Sequence, residues 1–180
     1  MELPEAKGTY VLIVFVPQMK RLEIGRLGAH DIIPGFYAYV GSAFGPGGLR
    51  ARIHHHLESV AQPHWHIDYL LAFAEPVGVW YALTGRKLEQ DLAEVLERSS
   101  IWRIPIPRFG ASDYHRSRTS HLFYSKRRPS FSRFQQQVNG AMGEPIEIAQ
   151  RRIAPNSSAS ETAVATGKKP SRLRCQTVVA

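Results

Sequence analysis

A chain of 180 residues can bury a core in one domain, and 43% hydrophobic with 21% charged residues is ordinary for a globular protein. No apolar run reaches the roughly 18 residues of a membrane helix, the acidic start Met1-Glu2-Leu3-Pro4-Glu5 lacks a leader pattern, and a lone Cys175 excludes an internal disulfide or a cysteine-based zinc site; the expectation is a cytoplasmic protein with no membrane partner. The net charge of +8 is uneven, with 9 Lys/Arg against 11 Asp/Glu in residues 1–102 and 14 against 4 in residues 103–180, so the second part suggests a polyanion partner such as nucleic acid, or a solubilising tail.

Residues 8–16 (GTYVLIVFV) are rich in β-branched and aromatic side chains and predict a strand ended by Pro17. Residues 21–27 alternate apolar and polar, predicting a second strand paired as a hairpin, and Pro34-Gly35 closes the loop that follows. Residues 36–41 (FYAYVG) predict a third strand, the expected centre of the sheet. The run Gly45-Pro46-Gly47-Gly48 must be loop. Helical spacing of Leu49, Ile53, His56, Leu57 and Val60 predicts a helix over 49–60. Residues 65–73 and 77–83 read as strands, and 87–98 as an amphipathic helix with Leu88, Leu92, Val95 and Leu96 on one face.

Residues 101–125 read as irregular, with a final apolar stretch His121–Tyr124. Apolar periodicity fades after Pro129, and residues 151–180 are poor in large apolar side chains. The chain is thus expected to hold one domain over 1–128 and a basic, disordered tail over 129–180. The element order predicts an α+β fold, a small, mainly antiparallel sheet flanked by helices.

Two tyrosines stand beside glycine in strand-like runs, Gly8-Thr9-Tyr10 and Tyr39-Val40-Gly41. Arg52 and His56 are spaced i and i+4, so they share a helix face. Glu89 sits early on the later helix. Phosphodiester hydrolysis needs a water, a base for its proton, a cation on the phosphoryl charge and help for the leaving oxygen. Glu89 alone could hold one Mg²⁺ or Mn²⁺ whose other ligands are waters and substrate oxygens. Arg52 would clamp the phosphate through its forked donors, and Tyr10 or Tyr39 would position the water or take its proton. A phenol is a poor base near neutral pH, so that role needs a nearby metal or cation. Taken singly, each of these residues is more ordinary as packing or as a solvated helix position. His64, His66 and Asp68 offer a competing metal cluster if 65–73 is a strand, or plain hydrogen bonding around the sheet.

The chain resembles the GIY-YIG nuclease superfamily, most nearly the small branch found alone or fused to endonuclease III-type DNA glycosylases. The resemblance spans about residues 7–125 and rests on GTYVL (8–12), PGFYAYVGSA (34–43), GGLRARIHHHL (47–57), HWHIDYLL (64–71), LEQDLAEVL (88–96), FGASD (109–113) and SHLFY (120–124). It implies a three-stranded antiparallel catalytic sheet and metal-dependent cutting of nucleic acid. The implied site is Tyr10, Tyr39, Arg52 and His56 with Glu89 on the metal. Gly41 would admit the backbone beside the site, and Arg50, Lys126, Arg127 and Arg128 would join it in contacting nucleic acid. A DNA-repair partner protein is a further implication.

The motifs read GTY and YVG, and the loop after Asp113, Tyr114-His115-Arg116-Ser117-Arg118-Thr119, lacks the two cysteines usual in that branch. The expected function is therefore a divalent-metal-dependent endonuclease acting on DNA; the alternative is a non-catalytic nucleic-acid-binding module with the same fold.

Overall fold

The computed structural model describes residues 2–58, 63–110 and 120–154. Its first element, β1 (Gly8–Val16), is buried almost throughout, as a β-branched run without polar alternation requires. It pairs antiparallel with β4 (Gly35–Ala43), Tyr10 opposite Gly41 and Leu12 opposite Tyr39. On its other side it pairs with β5 (Glu75–Ala82). Two more antiparallel strands complete a five-stranded sheet, β6 (Leu122–Ser125) beside β4 and β7 (Ala149–Arg152) beside β5. The order β6-β4-β1-β5-β7 puts β1 at the centre, correcting the expectation that 36–41 holds that place.

Three further expectations are corrected. Residues 21–27 do not pair with β1. Instead β2 (Lys20–Glu23) and β3 (Ala29–Ile32) form a separate two-stranded ribbon, and Gly25–Leu27 is a single 3-10 turn between them. Residues 65–73 are not a strand: α2 (His66–Leu71) is a helix, because Asp68 Oδ2 accepts the otherwise unsatisfied N–H groups of His64 (2.9 Å) and Trp65 (2.8 Å) at its start. The periodicity after Pro129 does not fade: α4 (Phe131–Ala141), capped by Ser130, and β7 both follow it. Phe134 and Val138 of α4 are buried, and Phe134 stacks on Trp80 of β5 with ring centroids 4.8 Å apart. Of the disordered tail expected over 129–180, residues 155–180 lie outside the described residues.

The sheet separates two apolar layers. Tyr10, Leu12, Val14 and Tyr39 face α1 (Gly48–Leu57) and α2, through Leu49, Ile53, Ile67 and Leu70. Val11, Ile13, Val40 and Trp80 face α3 (Glu89–Arg98) and α4, through Leu92, Val95, Leu96, Phe134 and Val138. This is an α+β architecture, a multi-stranded antiparallel sheet flanked by helices. No helix among the described residues is long and apolar enough to cross a membrane.

Candidate functional site

The site forms where β1, β4, α1 and α2 meet. The chain leaves β4 and enters α1 through Gly48, whose φ of +57° and whose position against the Ala6 carbonyl leave no room for a Cβ. The first turn of α1 is tied down by the N-terminal segment: Leu49 and Arg50 donate backbone N–H bonds to the Ala6 and Pro4 carbonyls at 2.9 and 3.1 Å. So fixed, α1 presents Ile53 and His56 to the sheet, both buried.

There the structure brings three expected residues together. The Tyr10 hydroxyl lies 2.7 Å from His56 Nε2. The Tyr10 and Tyr39 ring centroids are 6.4 Å apart, and Tyr39 meets the His56 ring edge-on at 6.2 Å. Gly41 has its own reason to be glycine: a Cβ there would lie 2.5 Å from the Tyr10 hydroxyl, so the phenol occupies the space over its backbone.

Arg52, one turn before His56, stacks its guanidinium over the Trp65 ring at 4.4 Å. It borders a cavity of about 190 Å³ lined also by Pro46, Gly48, His55 and Trp65. Glu89 opens α3, held near the start of β1 because the buried Thr9 hydroxyl accepts the Leu88 N–H at 3.0 Å. The charges of Arg52 and Glu89 both reach the phenols. Burial is the main cause of the strongly raised pKa of Tyr10, with Tyr39 and Glu89 adding to it and Arg52 opposing it. The Tyr39 phenol is likewise raised by burial, then by Glu89, against Arg52. Both tyrosines therefore stay protonated near neutral pH.

His56 leads to Asp68, which belongs to no metal cluster among the described residues and sits not on a strand but against the imidazole. Its Nδ1 faces Asp68 Oδ1 at 3.4 Å, with both side chains essentially sealed from solvent. Burial lowers the His56 pKa, only partly offset by Asp68, so the ring is neutral at pH 7. Burial raises the Asp68 pKa, yet the His56 imidazole and the Trp65 and His64 N–H groups outweigh it and hold the carboxyl below its ordinary value. The signal for Asp68 in the sequence was its place three residues after Trp65, where an acid caps a helix; reading 65–73 as a strand hid it. His121, buried beside the same site, was also missed: its ring pKa is lowered by burial and raised by Glu89.

The remaining expected residues lie apart from the tyrosines. Arg50 is exposed and paired with Glu5. Lys126, Arg127 and Arg128 are exposed after β6, and Arg128 borders a cavity of about 320 Å³ that Trp80, Phe131, Gln150 and Arg152 also line, on the α4 face of the sheet. His64 and His66 do not alternate on a strand; the Gly110 N–H donates to His66 Nδ1 at 3.1 Å. Among the described residues no group of three or more His, Cys, Asp or Glu could cage a metal. The loop from Asp113 to Thr119 lies outside the described residues.

A family model described as "Domain of unknown function DUF123" matches residues 9–143. The resemblance to the GIY-YIG nucleases is corrected by that match, which takes in most of the sheet and all four helices. No curated protein and no solved structure matches the chain.

Proposed function

The chain belongs to the DUF123 family, whose description carries no activity, so its chemistry has to be read from its own side chains, and we propose that it is a divalent-metal-dependent endonuclease hydrolysing phosphodiester bonds in DNA. The observation that supports this reading is a buried cluster in which Tyr10 is hydrogen-bonded to a neutral His56, with Tyr39 against both and with Arg52 and Glu89 acting on the two phenols from opposite signs of charge. The catalytic core would be the three central strands β4, β1 and β5.

In this mechanism the Tyr10 oxygen accepts a proton from the attacking water as its own proton passes to His56 Nε2 over the 2.7 Å bond. The phenol thus need not ionise, which its raised pKa forbids. Arg52, held in place by Trp65, draws the phosphate and stabilises the charge that builds on it. Tyr39 excludes water from one side of Tyr10 and packs the imidazole. Glu89 would hold Mg²⁺ or Mn²⁺. A single half-buried carboxylate fits such an ion, which takes its remaining ligands from water and phosphate, and does not fit a four-residue zinc cage. Bound there, the ion would supply Lewis acidity and reverse the sign of the charge felt by the phenols.

The test is purified protein with labelled single-stranded, duplex and branched DNA, with Mg²⁺ or Mn²⁺, beside Glu89→Ala. Metal-dependent cutting is expected, reduced at least ~10²-fold in the variant. Equal cutting by both proteins would remove Glu89 from the mechanism. A second reading is favoured by Arg128 and Arg152, which border the cavity on the opposite face without a carboxylate partner among the described residues. It is a nucleic-acid-binding module without cleavage, and it is the reading that salt-sensitive binding with no cutting would establish.

A further inference from the structure

Two buried polar atoms lack a hydrogen-bond partner among the described residues and face each other: His56 Nδ1 and Asp68 Oδ1, 3.4 Å apart. The side chains are 1% and 0% exposed. Buried polar atoms without partners are rare, because each forfeits its hydration. This pair sits a few tenths of an ångström beyond bonding distance, and neither atom has another hydrogen-bond partner among the described residues. The Asp68 carboxylate cannot swing away, since its second oxygen is held by the His64 and Trp65 N–H groups at 2.9 and 2.8 Å. The His56 ring cannot swing away either, being held at Nε2 by Tyr10 and packed by Tyr39 and Trp65.

Each ring nitrogen of a neutral histidine is either a donor or an acceptor, and its neighbours decide which. A carboxylate facing Nδ1 tolerates only an N–H there; a lone pair against it would place two buried acceptors in contact. We infer that Asp68 is a positioning residue that fixes His56 as the Nδ1–H tautomer, leaving Nε2 as the acceptor of the Tyr10 hydroxyl proton. The order Asp68–His56–Tyr10 then runs from the cap of α2 through α1 to the central strand. It has the logic of a Ser-His-Asp triad, with a phenol in place of the serine hydroxyl. Asp68 remains ionised throughout and steadies the imidazolium that forms when His56 takes the proton.

The catalytic part of this inference rests on the proposed hydrolysis; the tautomer does not, and the experiment separates them. Asp68→Asn is nearly isosteric. Its amide oxygen can still cap α2, while its NH₂ group faces Nδ1 as a donor. That turns Nδ1 into the acceptor and Nε2 into the donor, so Tyr10 can no longer pass its proton on.

The measurement is the ring nitrogen NMR spectrum of protein carrying ¹⁵N-histidine, with the His56 signals identified by their loss in His56→Gln. In the wild type, a protonated Nδ1 and an unprotonated Nε2 are expected, and the pattern should invert in Asp68→Asn. A protonated Nε2 in the wild type overturns the inference without any assay of cleavage, and it does so even if the variant fails to fold. On DNA, kcat is expected to fall by roughly 10²–10⁴-fold in Asp68→Asn, with KM little changed. Inverted nitrogens with an unchanged kcat would overturn the catalytic role. If the wild type cuts nothing while its tautomer is as stated, the proposed hydrolysis fails and the positioning of His56 by Asp68 stands.

Discussion

At the scale of the residue, burial is the main cause of the raised Tyr10 and lowered His56 pKa values, and it gives the site a signature in pH. Below the ordinary histidine value of 6.5 the unfolded chain protonates His56 while the folded one, its pKa lowered, resists. The unfolded state then binds more protons, so the stability that His56 contributes is full above about pH 6.5 and is lost as the pH falls below it. Asp68, held below its ordinary value of 3.8, loses its share only in stronger acid, outside that window. The expected outcome is a melting temperature that drops between about pH 7.5 and about pH 5.5, by a smaller amount in His56→Gln. His121, lowered in the same direction by its own burial, contributes to the drop left in that variant. Calorimetry at the two pH values, with and without the substitution, checks this.

That Tyr10, Tyr39 and His56 meet was legible from residue type and spacing, whereas only the family resemblance picks Glu89 from among the acids of α3. Asp68 could not be placed, because its contact with His56 exists only once α1 and α2 have packed against each other.

At the scale of the element, α4 shows what sequence patterning can hide. Phe131, Phe134 and Val138 recur at helical spacing behind a Ser130 cap. They are nonetheless diluted by three glutamines and by the basic run Lys126-Arg127-Arg128, so the stretch reads as polar tail. Packing resolves what periodicity alone does not: Trp80 stacks on Phe134, and without α4 one of the largest apolar side chains of β5 would face water. Phe134→Ala is expected to cost about 3–5 kcal/mol, the usual range for emptying a buried aromatic position, read from the urea midpoint. A cost under about 1 kcal/mol would mean that α4 docks loosely. The misread α2 has the opposite cause. Its six residues are too short for periodicity to distinguish helix from strand, and one side chain, Asp68, makes the difference by capping it.

At the scale of the whole molecule, the fold class was legible because alternating apolar runs and one amphipathic helix survive in any arrangement of an α+β domain. The strand order was not, since nothing local distinguishes a central strand from its neighbour. The sheet also fixes where the chain can be cut. Truncation after Pro129 removes α4 and β7 together, uncovering Trp80 and an edge of β5; the product is expected to lose cooperative thermal unfolding. Truncation after Ala154 is expected to keep the melting temperature within a few degrees, and circular dichroism on the two shortened chains decides.

The place of β1 has one more consequence. It is hydrogen-bonded on both sides along its length, to β4 from Gly8 to Val16 and to β5 from Thr9 to Phe15. A strand clamped this way opens only when the sheet as a whole opens, so its amides belong with the slowest to exchange their hydrogens for deuterium. Tyr10 rides on that strand. The Tyr10 phenol is therefore mounted on the least yielding part of the protein, and under the proposed hydrolysis whatever gives way to a substrate has to be found in α1, the loops or the substrate itself.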